Sequence, residues 1–182
     1  VETVVTPQTV GEAFRLAEIA LAQARETGGN HIVDYDPAIE EKQRRRLDLE
    51  ADMRRGLAAG EFDLLYQPVI DFSSRSVVGA EALMRWPRRP GGAIPPDEFI
   101  PAAETSGLIE DLGLFALRRA VADLGPIGDL KISVNLSTAQ FRSPVLAETI
   151  LDIVSEADLP PDRLQLEITE TLLLTQPERA KR

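Results

Sequence analysis

The sequence predicts a packed domain with an α/β fold and a mostly parallel sheet, together with part of a second domain, and three observations support this. After Gly60, short apolar strand candidates alternate with amphipathic helix candidates. Strands that alternate with helices are joined by crossovers and lie parallel in one sheet. The hydrophobic content of 43% is typical of a packed globular protein. The length of 182 residues suits one domain together with part of another.

The N-terminal region predicts one helix and one short strand. Apolar residues recur at helical spacing between residues 10 and 26, with Thr9 as the expected N-cap. The segment Gly28-Gly29-Asn30 is suited to end this helix in the left-handed conformation. The alternating run His31 to Tyr35 then predicts an edge strand.

A second helix is predicted over residues 37–59, beginning at Pro37. Its charged stretch from Glu40 to Arg46 is typical of a solvated linker. We therefore expect three segments: the end of a first, α+β domain at 1–36, a linker helix at 37–46, and a second domain at 47–182.

The second domain begins with two strands joined by a short turn, which predicts a hairpin. Helices and further strands follow in alternation, and the helix at 144–156 has Ser143 as its expected N-cap. The predicted elements are strands at 62–70 and 77–86, helices at 96–103 and 107–124, a strand at 131–136, a helix at 144–156 and a strand at 164–169.

Composition excludes several classes of partner. The net charge of −10 disfavours nucleic acid polymers and anionic lipid. No run approaches the roughly 20 apolar residues of a membrane span, so we expect no membrane contact from this segment. The absence of cysteine fits a reducing cytoplasm. Because the chain begins with Val1, we expect a piece of a longer polypeptide, whose membrane tethering elsewhere stays open.

Polar side chains share one face of the predicted strands, near the carboxyl ends where ligands bind in parallel α/β folds. For any single residue, a two-layer sheet with one solvated face is the better explanation. The recurrence of the pattern on three strands, with Gln67 on the first, weakens that alternative without excluding it. The polar members are Gln67, Glu81, Arg85, Ser133, Asn135, Gln165 and Glu167, with Leu83 on the same face.

Two glutamates and an asparagine supply hard oxygen ligands, which suit Mg²⁺, Mn²⁺ or Ca²⁺. Arg85, on the same face as Glu81, is suited to hold a phosphate oxygen. The single histidine, His31, lies in the other predicted domain and is interpreted as an ordinary surface or strand residue. A histidine-based hydrolytic triad is therefore excluded here.

Several motifs occur in order along the second domain: Tyr66-Gln67-Pro68, Glu81-Ala82-Leu83-Met84-Arg85-Trp86, the run from Pro96 to Glu104, Ser106-Gly107-Leu108-Ile109, Ser133-Val134-Asn135-Leu136-Ser137 and Glu167-Ile168-Thr169-Glu170. Together they resemble the EAL domain family, and the resemblance covers residues 47–182. In the first segment, the pairs Ala20-Leu21 and Ala24-Arg25, and Gly28-Gly29-Asn30 followed by a short strand, are similar to the end of a GGDEF domain, without the GGDEF motif itself. An unrelated helix-strand appendage stays open as the alternative for this segment.

The resemblance implies a modified (β/α)8 barrel of the TIM type, of which this chain would form the first half. It implies hydrolysis of cyclic di-GMP to linear pGpG, assisted by two divalent ions, Mg²⁺ or Mn²⁺. Carried over by position, the metal ligands are Glu81, Asn135 and Glu167, the catalytic residues are Glu81, Glu167 and Glu170, and the nucleotide contacts are Gln67, Leu83 and Arg85.

The family's second half supplies an aspartate pair, a lysine, a further glutamate and a glutamine that this chain does not reach. We therefore expect the chain alone to be inactive and its parent to be the enzyme. A homodimer through EAL or linker elements is also expected. Two alternatives stay open for the parent: a degenerate EAL module that binds cyclic di-GMP as a receptor, and a non-catalytic dimerisation scaffold.

Overall fold

A computed structural model describes residues 7, 9–87 and 92–168 of the chain. The chain divides into two compact units at Ala51/Asp52. We refer to residues 1–51 as the N-terminal unit and to residues 52–182 as the C-terminal unit. Of the helices in the described residues, none combines the length and apolar content that a membrane crossing requires.

The N-terminal unit contains helix α1 (Val10–Glu26) and most of helix α2 (Pro37–Ala58). The predicted N-cap is confirmed, because the Thr9 hydroxyl accepts the Glu12 backbone N–H at 3.1 Å. The predicted left-handed ending of α1 is confirmed as well. Gly28, Gly29 and Asn30 have φ values of 103°, 68° and 59°.

The strand predicted at His31 to Tyr35 is wrong, since these residues form no strand. A strand needs a partner for its backbone hydrogen bonds, and the described residues of the N-terminal unit contain no other strand. His31 is exposed, as predicted, and its ring nitrogens lie 2.9 Å from the Thr27 hydroxyl and 2.8 Å from the Gly29 carbonyl oxygen.

The C-terminal unit is built on a four-stranded sheet with strand order β1-β2-β3-β4. The predicted hairpin and parallel pairing are both confirmed: β1 is antiparallel to β2, and β2, β3 and β4 are parallel. The elements are β1 (Asp63–Ile70), β2 (Val77–Arg85), α3 (Pro96–Ser106), α4 (Ile109–Leu124), β3 (Lys131–Leu136), α5 (Leu146–Glu156) and β4 (Leu164–Ile168), with short 3-10 helices at Gln140–Arg142 and Pro161–Arg163.

The core lies between one face of this sheet and helices α4 and α5. On the sheet side, Ala82, Ile132 and Val134 are buried, as their alternation with polar residues predicts. On the helix side, Leu117 and Ala120 are 1% and 0% exposed. The opposite face of the same strands is therefore free of helices within the described residues and carries the polar residues.

An aromatic cluster lies at the carboxyl end of β2. The Trp86 ring stacks on Phe62 with ring centroids 4.9 Å apart, and Phe99 contacts both rings edge-on. A Cβ on Gly56 would lie 2.9 Å from the Trp86 Nε1 atom, so the absence of a side chain there lets α2 approach the indole. Trp86 is the single tryptophan of the chain and is 1% exposed.

The predicted N-cap of α5 is wrong. The helix begins at Leu146, and Val145 occupies the N-cap position without a side-chain hydrogen bond. Ser143 ends the preceding 3-10 turn, in which its N–H donates to the Gln140 carbonyl at 3.0 Å. The chain turns again before α5, and the Leu146 N–H, the first of the helix, lies 3.5 Å from the backbone carbonyl oxygen of Ser143, so the serine meets the helix through its backbone.

Candidate active site at the carboxyl ends of the strands

Strand register brings the predicted site residues onto one face of the sheet. Gln67 is the register partner of Glu81, which in turn is the partner of Ser133. Two residues further along β3, Asn135 is the register partner of Glu167 on β4. Register partners on neighbouring strands lie about 5 Å apart, so the two glutamates flank the strand that carries the amide.

Glu81 and Asn135 are in direct contact. The Asn135 Nδ2 group donates a hydrogen bond to Glu81 Oε1 at 2.7 Å. Glu81 and Glu167 are half-buried and Asn135 is exposed. The side chains on two different strands thus meet on the face where alternation along the strands had placed both of them.

The donor set fits a hard divalent cation. Two carboxylates and an amide oxygen are the oxygen ligands that Mg²⁺ and Mn²⁺ use. With Nδ2 turned towards Glu81, the amide would have to rotate to offer its Oδ1 atom beside the same carboxylate. Within the described residues, no group of three or more His, Asp or Glu side chains converges on one point. Any ion here therefore depends on the amide or on ligands outside those residues.

Arg85 ends β2 on the face that carries Glu81. Its side chain is half-buried, and its Nη1 atom donates to the Met84 carbonyl oxygen at 2.8 Å. Among the described residues Arg85 forms no ion pair with a carboxylate. Leu83 is half-buried and Gln67 is exposed on the same face. These three residues therefore border Glu81 without neutralising it.

Glu170, the remaining predicted catalytic residue, lies outside the described residues. The described part of β4 ends at Ile168, directly after Glu167. The prediction for Glu170 therefore stays a prediction.

One concavity of the C-terminal unit lies away from these residues. An open cavity of about 400 Å³ is lined by Gly60, Glu61, Phe62, Asp63, Pro87 and Arg119, and it contains none of the predicted site residues. We place the site by its chemistry, because a sheet of four strands presents a shallow face that becomes concave only when further strands close it.

One polar group beside the site was missed in the sequence. Gln140 is only 2% exposed and accepts the Ser137 backbone N–H at 3.0 Å. The Ser137 hydroxyl donates to Glu104 at 2.5 Å. A signal was present, since Gly113 interrupts an otherwise favourable helix at a cost of about 1 kcal/mol relative to alanine. A glycine inside a helix often marks a close contact, here with Gln140.

A profile of the EAL domain matches residues 50–182. The chain belongs to the EAL domain family. The fold class predicted for residues 47–182 is confirmed, since the four-stranded sheet corresponds to part of the barrel of EAL domain structures. Members of this family are cyclic di-GMP phosphodiesterases or receptors for cyclic di-GMP, and the phosphodiesterases depend on divalent metal ions.

Among its relatives, the chain is 40% identical over 165 residues to an uncharacterized signaling protein of Caulobacter vibrioides, covering 90% of this chain and 20% of that protein. It is 38% identical over 134 residues to the cyclic di-GMP phosphodiesterase RocR of Pseudomonas aeruginosa, covering 70% of this chain and 33% of RocR. The EAL profile begins at residue 50, so the GGDEF origin of the N-terminal unit stays a prediction.

Among solved structures, the PaMucR phosphodiesterase in complex with c-di-GMP superposes with a TM-score of 0.66 at 32% identity. The match covers 72% of this chain and 55% of that one. The chain spans about a fifth of the length of several curated relatives that it matches, at 20% for the Caulobacter protein. The activity of the whole protein is therefore a proposal.

Proposed function

We propose that the parent protein hydrolyses cyclic di-GMP to linear pGpG and that this chain carries the first half of the active site. The observation that supports this best is the contact of Glu81 with Asn135 at 2.7 Å, with Glu167 as the register partner of Asn135. These residues belong to different strands, and they meet where ligands bind in parallel α/β folds.

In this proposal Glu81, Asn135 and Glu167 hold the divalent ion, Mg²⁺ or Mn²⁺, with Asn135 presenting its amide oxygen. When bound, such ions make water a nucleophile at neutral pH and offset the charge that develops on phosphoryl oxygens. The two glutamates give this edge of the sheet a negative charge that the ions offset. Their half-burial limits the competing solvation by water.

The remaining residues bind and orient the dinucleotide. Arg85 uses one guanidinium nitrogen on the Met84 carbonyl, and its other N–H groups would hold a phosphate oxygen so that the diester lies in line with the attacking water. Gln67 and Leu83 would contact the nucleotide from either side of Glu81. Glu170 would support the substrate or the loop at the metal site.

This chain alone would not turn over substrate, because the residues of the second half of the barrel complete the site. The parent would be cytoplasmic, or cytoplasmic in this part, since cyclic di-GMP is a second messenger inside bacteria. A homodimer through EAL or linker elements is part of the same proposal, and sedimentation of the parent at several concentrations would test it.

The decisive experiment incubates the full-length parent with cyclic di-GMP and Mg²⁺ and separates the products chromatographically. We expect linear pGpG, and we expect none from residues 1–182 alone. Binding without turnover would identify the parent as a receptor, and no binding would favour a scaffold. Turnover by residues 1–182 alone would contradict the proposed division of the site.

Substitutions in the parent test the residue assignments. Glu81→Ala and Asn135→Ala are expected to abolish metal-dependent turnover. Arg85→Ala should raise the KM for cyclic di-GMP, and it should raise the metal concentration needed for half-maximal rate by a smaller factor. Glu156→Ala, which removes an exposed carboxylate at the end of α5, is the matched control. Unchanged turnover in Glu81→Ala would exclude the metal assignment.

A further inference from the structure

Ser137 lies two residues after Asn135, directly beyond the end of β3, and all of its polar groups are engaged. Its N–H donates to Gln140 Oε1 at 3.0 Å, and its carbonyl accepts the Gln140 N–H at 3.1 Å. Its hydroxyl donates to Glu104 Oε1 at 2.5 Å and accepts the Ala139 N–H at 3.2 Å. A loop residue with this many partners has little freedom to move.

Gln140 connects Ser137 to helix α4. Its side chain rests against the backbone of α4 at Gly113, where an added Cβ would lie 2.1 Å from the Gln140 Nε2 atom. Helix α4 is itself anchored in the core, with Leu112 and Leu117 each 1% exposed. The buried amide therefore transmits the position of a rigid helix to the backbone of Ser137.

Glu104 connects Ser137 to helix α3. It belongs to α3, the helix that follows β2, and β2 carries Glu81. A hydrogen bond from a hydroxyl to a carboxylate is charge-assisted and stronger than a neutral one. The bond thus ties the loop after β3 to the element after β2, the two strands whose side chains meet in the site.

Asn135 needs such support because packing does not orient it. Its side chain is exposed, whereas its neighbours Val134 and Leu136 are 1% and 3% exposed. The described pairing of β3 with β4 ends at Leu136, so the bonds of Ser137 fix the backbone directly beyond it and with it the end of the strand that carries Asn135. Groups that orient the ligands of a metal site commonly change metal affinity by 10–100-fold when they are removed.

We propose that Ser137, held by Glu104 and Gln140, is a positioning residue that keeps the Asn135 side chain beside Glu81, where rotation of the amide lets its Oδ1 atom reach an ion shared with that carboxylate. For its consequence in catalysis this inference rests on the proposed function. For the position of Asn135 it stands on the hydrogen bonds that fix Ser137, two residues further along the chain.

The test uses the full-length protein with ¹⁵N-labelled asparagine, in which the Asn135 side-chain amide is assigned by its loss in Asn135→Asp. In Ser137→Ala we expect hydrogen exchange of this amide to accelerate about tenfold. We also expect the dissociation constant for Mn²⁺, measured from the free-ion EPR signal, to rise about tenfold. Ser137→Thr, which retains the hydroxyl, should restore both values, and Glu104→Gln should give intermediate ones.

Ser155→Ala, at an exposed position of α5, is the matched control. If Ser137→Ala lowers the melting temperature but leaves the exchange of the Asn135 amide within twofold of the original, Ser137 is only structural and the inference is wrong. If the unmodified protein neither binds Mn²⁺ nor hydrolyses cyclic di-GMP, the proposed function fails, while the exchange measurement still decides whether Ser137 positions Asn135.

Discussion

The two units of the chain each contain a tyrosine hydroxyl and an arginine that donate to one shared carboxylate. In the N-terminal unit the carboxylate lies five residues from the tyrosine, and in the C-terminal unit it lies 57 residues away. The two trios are Tyr35, Glu40 and Arg15 in the N-terminal unit and Tyr66, Asp123 and Arg119 in the C-terminal unit.

The distances in the two trios are nearly equal. The tyrosine-to-carboxylate hydrogen bonds measure 2.9 Å for Tyr35 and 2.8 Å for Tyr66. The surroundings differ, since the hydrogen bond to Glu40 is what mainly raises the pKa of Tyr35, whereas burial is the largest cause of the raised pKa of Tyr66. Hydrogen-bond geometry alone therefore does not report what a contact contributes. Both trios join a half-buried tyrosine and carboxylate to an exposed arginine, but burial desolvates the Tyr66 hydroxyl more than the Tyr35 hydroxyl, so solvent competes less for the Tyr66 hydrogen bond.

The largest expected difference between the two units comes from apolar packing. Leu117→Ala in α4 should destabilise the C-terminal unit by roughly 2–5 kcal/mol, because it leaves a cavity in the core. Leu117 is 1% exposed, whereas the matched position Leu47 in α2 is 61% exposed. Leu47→Ala should therefore change stability by less than about 0.5 kcal/mol.

Chemical denaturation followed by Trp86 fluorescence reports the C-terminal unit selectively, since this residue is the single tryptophan. Circular dichroism at the helical band reports both units. If Leu47→Ala and Leu117→Ala lowered the free energy of unfolding equally, Leu47 would be covered in the full-length protein, and the expected difference between the two units would be contradicted.

A smaller effect is expected from removing one hydroxyl from each trio. Tyr66→Phe should cost about 1 kcal/mol, the typical net value of a hydrogen bond, with Asp123 left short of one donor. Tyr35→Phe should leave the unfolding midpoint unchanged, because water replaces the lost donor at Glu40. A shift for Tyr35→Phe as large as that for Tyr66→Phe would contradict the role assigned to burial.

The smallest effect concerns the pH dependence of the trio in the C-terminal unit. The hydrogen bond from Arg119, and then that from Tyr66, lower the pKa of Asp123 in the folded protein. The ionised Asp123 therefore contributes to folding stability above about pH 4, which is the pKa of an unfolded aspartate. This contribution is lost as the pH falls through the lower pKa of the folded state. The pKa of Tyr66 is raised, so its contribution is present below about pH 10 and is lost as pH rises further.

The difference in stability between the original protein and Tyr66→Phe should consequently stay constant from pH 5 to pH 9 and shrink outside that window. Denaturation at a series of pH values measures it, with Tyr35→Phe as the matched control. A difference that already declines between pH 5 and pH 7 would show that another titrating group controls the trio.

Local patterns predicted much of the fold. Helical spacing and the Thr9 cap located α1, and alternation alone placed Glu81, Asn135 and Glu167 on one face. The strand predicted at His31 to Tyr35 failed because alternation of apolar and polar residues shows which faces of a strand would be buried, but it does not provide a neighbouring strand for the backbone hydrogen bonds. The cap predicted at Ser143 failed because the chain turns once more before α5 begins at Leu146, which leaves Val145 in the N-cap position.

The support of the site could not be predicted in the same way. Ser137 and Glu104 are 33 residues apart, and no periodicity relates them. Gly113 carried a signal, because glycine is unfavourable inside a helix, but the sequence does not say which side chain fills the space. The same holds for Arg163, whose guanidinium donates to the carbonyls of Leu130, Gly125 and Leu124.

The sequence by itself determined which side chains lie on the polar face of each strand and which family's motifs they form, because side-chain direction along a strand follows from a repeat of two residues. Only the tertiary structure decided that Asn135 meets Glu81, that Ser137 is held between α3 and α4, and that the Tyr66 hydroxyl is desolvated more than the Tyr35 hydroxyl. Such contacts depend on strand register and helix packing, which join residues far apart in the chain and leave no local pattern.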